Sequence, residues 1–111
     1  MPDAPSTARI LLVDDEVDHA EVMSDALDRL GHARDIAHNL GEALAKLGRR
    51  QYDVIVTDLM MENQPQGLAL LRHAVALVPP PVVLMVTAHA DIPTCKQALG
   101  EGAFDYIEKP L

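Results

Sequence analysis

The sequence predicts an α/β fold: a doubly wound, five-stranded parallel sheet with helices packed on its faces. Three observations carry this. Short apolar runs alternate with segments of helical periodicity along the chain. The first, third and fourth runs (Ile10-Leu11-Leu12-Val13, Val54-Ile55-Val56-Thr57 and Val82-Val83-Leu84-Met85-Val86) are continuous rather than alternating. That is the pattern of parallel strands covered on both faces. Each of these runs also stops at a polar residue: Asp14 with Asp15, Asp58, and Thr87. Repeated strand–helix–strand units close as right-handed crossovers.

In order along the chain, Arg9–Val13 reads as the first strand. A helix over Val17–Leu30 follows, with Ala20, Met23, Ala26, Leu27 and Leu30 on one stripe. Glu16, Asp18 and Glu21 place negative charge at its start, where the helix dipole favours it. Gly31 stops it. Ala33–Ala37 is a weaker strand. Asn39 is the N-cap of a short helix carrying Leu40, Ala43, Leu44 and Leu47, which ends at Gly48. Tyr52–Thr57 is the third strand and Met60–Gln66 a loop. A helix over Gly67–Val78 presents Leu68, Leu71, Val75 and Val78 on one face and is terminated by Pro79-Pro80-Pro81. Val82–Val86 is the fourth strand. Asp91–Gly100 is a helix with Pro93 in its first turn. Gly102 turns the chain into the fifth strand, Asp105–Glu108.

A chain of 111 residues is one domain, long enough for a real core. Residues 1–8 read as a disordered start and 9–111 as the folded domain. A hydrophobic fraction of 49% excludes a disordered chain. The net charge of −8 argues against direct nucleic-acid binding by this segment. The single cysteine, Cys95, cannot form an internal disulfide, which points to the cytoplasm. No apolar run reaches the roughly 18 residues of a membrane span.

The strand-end rule brings the polar residues into one crevice, since ligands of open α/β sheets bind beyond the carboxyl ends of the strands. Asp14, Asp15, Asp58, Thr87 and Lys109 would converge there. Singly, such residues are helix caps and surface turns; jointly they call for a divalent cation and a phosphoryl group. Crowded carboxylates raise one another's pKa, and Mg²⁺, which prefers oxygen ligands, relieves that repulsion. One carboxylate can then attack phosphorus and form an acyl phosphate. Asp58 is the candidate, because it ends the central strand. Lys109 can pair with it at rest and with a phosphoryl oxygen afterwards; Thr87 can donate a hydrogen bond to another phosphoryl oxygen. His19, His32, His38 and His73 show no metal-ligand spacing and read as surface residues.

Four motifs together resemble the receiver domain of bacterial two-component response regulators. They are Leu11-Leu12-Val13-Asp14-Asp15-Glu16, Val56-Thr57-Asp58-Leu59-Met60-Met61, Val86-Thr87-Ala88, and Gly102-Ala103-Phe104-Asp105-Tyr106-Ile107-Glu108-Lys109-Pro110. The wording of the last looks most like receivers fused to ATPase-type transcription activators. The resemblance implies a flavodoxin-like fold and a phosphoryl group received on Asp58 from a sensor histidine kinase. It implies Mg²⁺ held by Asp15, Asp58 and the main-chain carbonyl of Met60, with Asp14 acting through water. It implies phosphoryl contacts from Thr87, Lys109 and the Ala88 backbone. Thr87 and Tyr106 would be a switch pair, and the Lys109–Pro110 bond would be cis. Met60 and His89 would tune hydrolysis of the acyl phosphate. An effector domain in a longer parent chain and a homodimer are the partners implied, with transcription as the output.

Two departures stand out. The loop after Asp58, Met61-Glu62-Asn63-Gln64-Pro65-Gln66-Gly67, is one residue longer than the family's usual form and lacks its early proline. The family would also continue into a fifth helix beyond Leu111, so a receiver truncated at its carboxyl end, with an exposed apolar patch, is expected. Other readings are a stand-alone receiver, a phosphate-independent interaction domain, and a Mg²⁺-dependent aspartyl-phosphate phosphatase. Phosphatases of that kind carry a second aspartate two residues after the nucleophile, where this chain has Met60. A conventional enzyme is therefore not expected; the chain would take part only in its own phosphoryl transfer and slow self-dephosphorylation.

Overall fold

The computed structural model describes residues 7–109. Residues 1–6 of the expected disordered start, and Pro110 with Leu111, lie outside the described residues. So does the expected cis bond at Lys109–Pro110; within the described residues the cis peptide is Val78–Pro79.

Five parallel strands form one sheet: β1 (Arg9–Val13), β2 (Ala33–Ala37), β3 (Val54–Asp58), β4 (Val82–Thr87) and β5 (Asp105–Glu108), in the order β2-β1-β3-β4-β5. Helices α1 (Val17–Arg29), α2 (Leu40–Leu47), α3 (Gln66–Ala74) and α4 (Ile92–Gly100) fill the crossovers, the last preceded by a 3₁₀ turn at His89–Asp91. The predicted doubly wound parallel fold is the observed one, with β3 at the centre. The chain runs outward from β1 to β2 and then returns to β3 on the other side of β1. That reversal opens a crevice beyond the carboxyl ends of β1 and β3.

One sheet face is fully covered. Leu11, Val13, Ile55, Val83 and Met85 meet Ala43 and Leu47 of α2, Leu68, Leu71 and Ala74 of α3, and Cys95 and Ala98 of α4 in one buried cluster. On the other face Ile10 and Leu12 are buried, and α1 lies against β1 and β2. Their register partners Val54 and Val56, and next to them Leu84, are only half-buried. Val82 and Ile107, on that same face, are each 41% exposed. No helix follows β5 among the described residues, so an apolar strip over β3, β4 and β5 stays open.

Element ends depart from the sequence reading in physically clear ways. Helix α1 stops at Arg29, and Leu30, placed on its buried stripe, is an exposed C-cap. Gly31 has φ +82°, and its amide and that of His32 return to the carbonyls of Asp28 and Leu27, so the left-handed stop ends the helix one residue early. Helix α3 stops at Ala74 rather than Val78. Ala76 and Leu77 donate back only three residues, to His73 and Ala74, because a residue before proline avoids the helical region. Val75 is therefore exposed rather than core-facing, and Val78 is 91% exposed. The third strand begins at Val54, and Tyr52 is instead a buried side chain whose hydroxyl donates to Asp35 at 2.6 Å. The N-cap at Asn39 is as expected, its Oδ1 accepting from the Glu42 amide at 2.8 Å.

The lengthened loop folds as a miniature antiparallel turn. Met61 and Gln64 exchange both backbone hydrogen bonds, at 2.9 and 3.0 Å. Glu62 and Asn63 between them take φ +55° and +60°. Asn tolerates this left-handed region; Glu does not. Glu62→Gly should therefore raise stability by about 0.5–1 kcal/mol, read as a higher urea midpoint. An unchanged or lower midpoint would show that the Gln66–Glu62 side-chain bond (3.2 Å) outweighs the backbone strain.

Candidate functional site

The site is built from strand ends. At the end of β1, the Asp14 amide donates to the Ala37 carbonyl at 3.0 Å, which carries the β1–β2 ladder one step past the strand. Asp14 is fully buried. Its Oδ1 accepts from the Glu16 amide at 2.9 Å, and its Oδ2 contacts His19 Nδ1. Its carbonyl is 3.0 Å from His38 Nδ1. Asp58 closes β3 and is 2% exposed. Thr57 Oγ1 donates to the Asp58 carbonyl at 3.0 Å, and the Leu59 amide donates to Val86 of β4 at 2.9 Å. The peptide carrying the Asp58 side chain is thus fixed on both sides.

Lys109 reaches the same point from β5. Its amide donates to the Thr87 carbonyl at 2.8 Å, and its Nζ lies 2.9 Å from Asp58 Oδ1. The approach has the distance of an ion pair but not the angles of a hydrogen bond, so both carboxylate oxygens of Asp58 remain without a hydrogen-bond partner. Buried polar atoms are nearly always paired. An orphan pair in a buried carboxylate marks a place shaped for something else.

The electrostatics agree. Burial, then the neighbouring Asp14, pushes the Asp58 carboxyl up to about 7 against the opposing pull of Lys109. Burial works the same way on Asp14, but its neighbours Asp58, the Glu16 amide and His19 together outweigh it and hold Asp14 below the usual carboxylate range. Burial disfavours the Lys109 ammonium, yet Asp58, Asp14 and Glu16 together raise its pKa.

The structure brings together Asp14, Asp58 and Lys109, with the buried Thr87 at the neighbouring strand end. Thr87 Oγ1 donates to the Ala88 carbonyl at 3.1 Å. Asp15 stands apart: it is exposed, and its Oδ2 accepts from the Glu62 amide of the lengthened loop at 3.2 Å. Met60 and Tyr106 are half-buried against the core. His89 is exposed, its Nδ1 3.4 Å from Glu108 Oε2. Asp14, Asp58 and His19 offer donor atoms that all lie within 4.8 Å of one another. Reading His19 as a surface residue is therefore corrected: it occupies the third position of α1, where the first helical turn folds back over the end of β1. His38, at the edge of β2, is likewise turned onto Asp14. A strand-end aspartate with a histidine in the first turn of the next helix was the signal available for His19.

A family model described as response regulator receiver domain matches residues 10–111. The C4-dicarboxylate transport transcriptional regulatory protein DctD of Rhizobium meliloti is 36% identical over the whole of this chain, which covers 23% of that protein. The response regulator protein PilR of Pseudomonas aeruginosa is 35% identical over 96% of this chain, which covers 24% of it. The chain thus spans about a quarter of the length of these relatives. Among solved structures, the receiver domain of NtrX from Brucella abortus superposes with a TM-score of 0.84 at 35% identity, over 92% of this chain and 86% of that one. With the family pattern running from β1 to the last described strand, and its acidic pocket formed where β1, β3 and β5 end, the chain belongs to the response regulator receiver domain family.

Proposed function

We propose that this domain is a phosphoacceptor switch that receives a phosphoryl group on Asp58 from a sensor histidine kinase. The observation that carries the reading is the Asp58 carboxylate itself: 2% exposed, without hydrogen-bond partners, set between Asp14 and the Lys109 ammonium. A carboxylate oxygen of Asp58 attacks phosphorus, the phosphorus–nitrogen bond of the phosphohistidine breaks, and an acyl phosphate forms. Lys109 neutralises charge on the transferred group, and the Thr87 hydroxyl turns from the Ala88 carbonyl toward a phosphoryl oxygen. Tyr106, half-buried against the core, follows into the space that Thr87 leaves, which alters the α4–β5 face and biases a two-state equilibrium.

The donor set suits Mg²⁺, since two adjacent buried carboxylates and orphan oxygens are what a hard dication satisfies. Asp14 and Asp58, with Asp15 and the Met60 carbonyl, would hold it; when bound, the ion neutralises charge on the carboxylates and the phosphoryl oxygens. Among the described residues no helix is long and apolar enough to cross a membrane; the family match supports a place in the cytoplasm. Relatives named as transcriptional regulators support an output on transcription through an effector domain. The domain is not a turnover enzyme, because Met60 occupies the position where an aspartyl-phosphate phosphatase needs its general acid.

The test is labelling by acetyl phosphate with Mg²⁺. The parent chain should take up one hydroxylamine-sensitive phosphoryl group, and Asp58→Asn should take up none. A label of the same stability in the Asn variant would place the phosphoacceptor elsewhere.

A further inference from the structure

We infer that Asp14, His19 and Asp58 form a mixed nitrogen–oxygen site for a nitrogen-seeking transition cation such as Zn²⁺ or Co²⁺. An oxygen-only pocket would not provide this. His19 is not part of the phosphoacceptor reading, and the inference shares that pocket without depending on phosphoryl transfer.

Two independent observations support it. The first is placement. The His19 ring is largely buried, with 20% of its side chain exposed, and its Nδ1 faces Asp14 Oδ2. The donor atoms of Asp14, His19 and Asp58 all lie within 4.8 Å of one another. Ligands about 2.1 Å from a tetrahedral ion sit ~3.4 Å apart, so the three need only small side-chain shifts to close on one ion. The second is Asp58, which faces the Lys109 ammonium at 2.9 Å through Oδ1 but whose two buried oxygens have no hydrogen-bond partner. Its carboxylate points into the same space with an acceptor to spare.

The carboxylate contacts fit this assignment. Asp14 Oδ1 is occupied by the Glu16 amide, which orients the carboxylate and leaves Oδ2 for the ion. Asp58 Oδ1 faces Lys109, which leaves Oδ2. In the metal-free protein His19 Nδ1 faces Asp14 Oδ2; to bind an ion there, the ring must carry its proton on Nε2 and present the Nδ1 lone pair. Two carboxylates and an imidazole from the protein leave one position open for water, the arrangement of three-ligand zinc sites. Imidazole favours Zn²⁺, Ni²⁺ and Cu²⁺, whereas Mg²⁺ gains little from nitrogen. The expected consequence is selectivity: His19 raises affinity for transition ions relative to Mg²⁺.

The experiment titrates the full chain with Zn²⁺, Co²⁺ and Mg²⁺, reading affinity by calorimetry and the His19 ring nitrogens by two-bond ¹H–¹⁵N NMR. One Zn²⁺ should bind per chain and shift the Nδ1 resonance of His19. The ratio of Zn²⁺ to Mg²⁺ affinity should fall roughly tenfold or more in His19→Leu. His19→Gln keeps a hydrogen-bond donor for Asp14 but not a comparable metal ligand, so its ratio should fall as well. An unmoved His19 resonance in the Zn²⁺-loaded parent overturns the inference even if neither variant folds. A ratio preserved in His19→Gln also overturns it, and reduces His19 to a positioning residue for Asp14. Labelling by acetyl phosphate in Mg²⁺ is scored separately, so a failure of either reading is visible without the other.

Discussion

In metal-free protein held with a chelator, Asp58→Asn should be more stable than the parent above neutral pH by about 1–3 kcal/mol. The sign follows from linkage. An aspartate titrates near 3.9 in the unfolded chain, and the folded protein lifts Asp58 to about 7. Between those values the folded state binds more protons than the unfolded one, so stability falls as pH rises through roughly 4 to 7 and levels off above. The full shift corresponds to ~4 kcal/mol at most. Asp14 works in the opposite sense. Its lowered pKa contributes stability that is fully present above the unfolded value and lost only as pH falls below it, so the slope between pH 5 and pH 8 belongs to Asp58. The Asn variant removes the buried like-charge contact, and its amide can still donate to Asp14 and accept from Lys109. Urea midpoints at pH 5 and pH 8 decide the matter: the parent should lose stability between them and the variant should not. Parallel slopes would mean that Lys109 already neutralises Asp58. Saturating Mg²⁺ should then close the gap from the parent's side, by ~2.7 kcal/mol at a hundred times its dissociation constant.

This instability is the physical counterpart of what made the site readable in the sequence. Asp14, Asp58 and Thr87 interrupt apolar runs at the same relative place, and only a parallel sheet brings three such places together. Lys109 belongs to that pattern because its backbone is hydrogen-bonded to Thr87. Strand positions were legible because β1, β3 and β4 are unbroken apolar runs, the signature of two-sided strands, although β3 and β4 are only partly covered on the face away from α2, α3 and α4. Helix ends were less so. The stop of α3 depends on the conformation of Val78 before Pro79, which cuts across the 3.6-residue spacing that pointed to Val75 and Val78 as core. His19 was missed for another reason. Metal-ligand spacing within one element is a sequence property, but His19 and Asp14 meet across a strand–helix turn. Asp15 followed the loop: Glu62, in the added turn, offers an amide that draws its carboxylate to the rim. An insertion is visible in sequence, whereas its hydrogen bonding to a residue 47 positions away is not.

Gly67→Ala should be the most disruptive single-methyl change in the domain, costing about 2–4 kcal/mol. An added Cβ would sit 2.2 Å from the Asp58 carbonyl oxygen, 2.8 Å from Leu59 Cα and 3.1 Å from the Asp58 carbonyl carbon. All three are backbone atoms, so no rotamer change relieves the clash. The requirement is for space and not for a left-handed φ. The first turn of α3 packs against the peptide that follows the phosphoacceptor, and the Gly67 amide donates to Leu59 at 3.0 Å. Relief must therefore move either α3, whose Leu68, Leu70, Leu71 and Ala74 are buried, or the Asp58–Leu59 peptide. That peptide is tied to Thr57 by one hydrogen bond and to Val86 by another. Moving the helix loses core packing; moving the peptide shifts the Asp58 carboxylate from Asp14 and Lys109. Either way stability and phosphoryl transfer should fall together, the second by roughly tenfold or more, because a displacement of about 1 Å at a reacting group has that effect. Urea unfolding and the acetyl phosphate labelling rate measure both. Gly100, where an added Cβ would meet nothing within 4 Å, is the control position. A Gly67→Ala variant within about 0.5 kcal/mol of the parent that labels at the parental rate would mean that the lengthened loop absorbs the methyl. In that case the added residue at Glu62–Asn63 would be what frees α3 to move without the site.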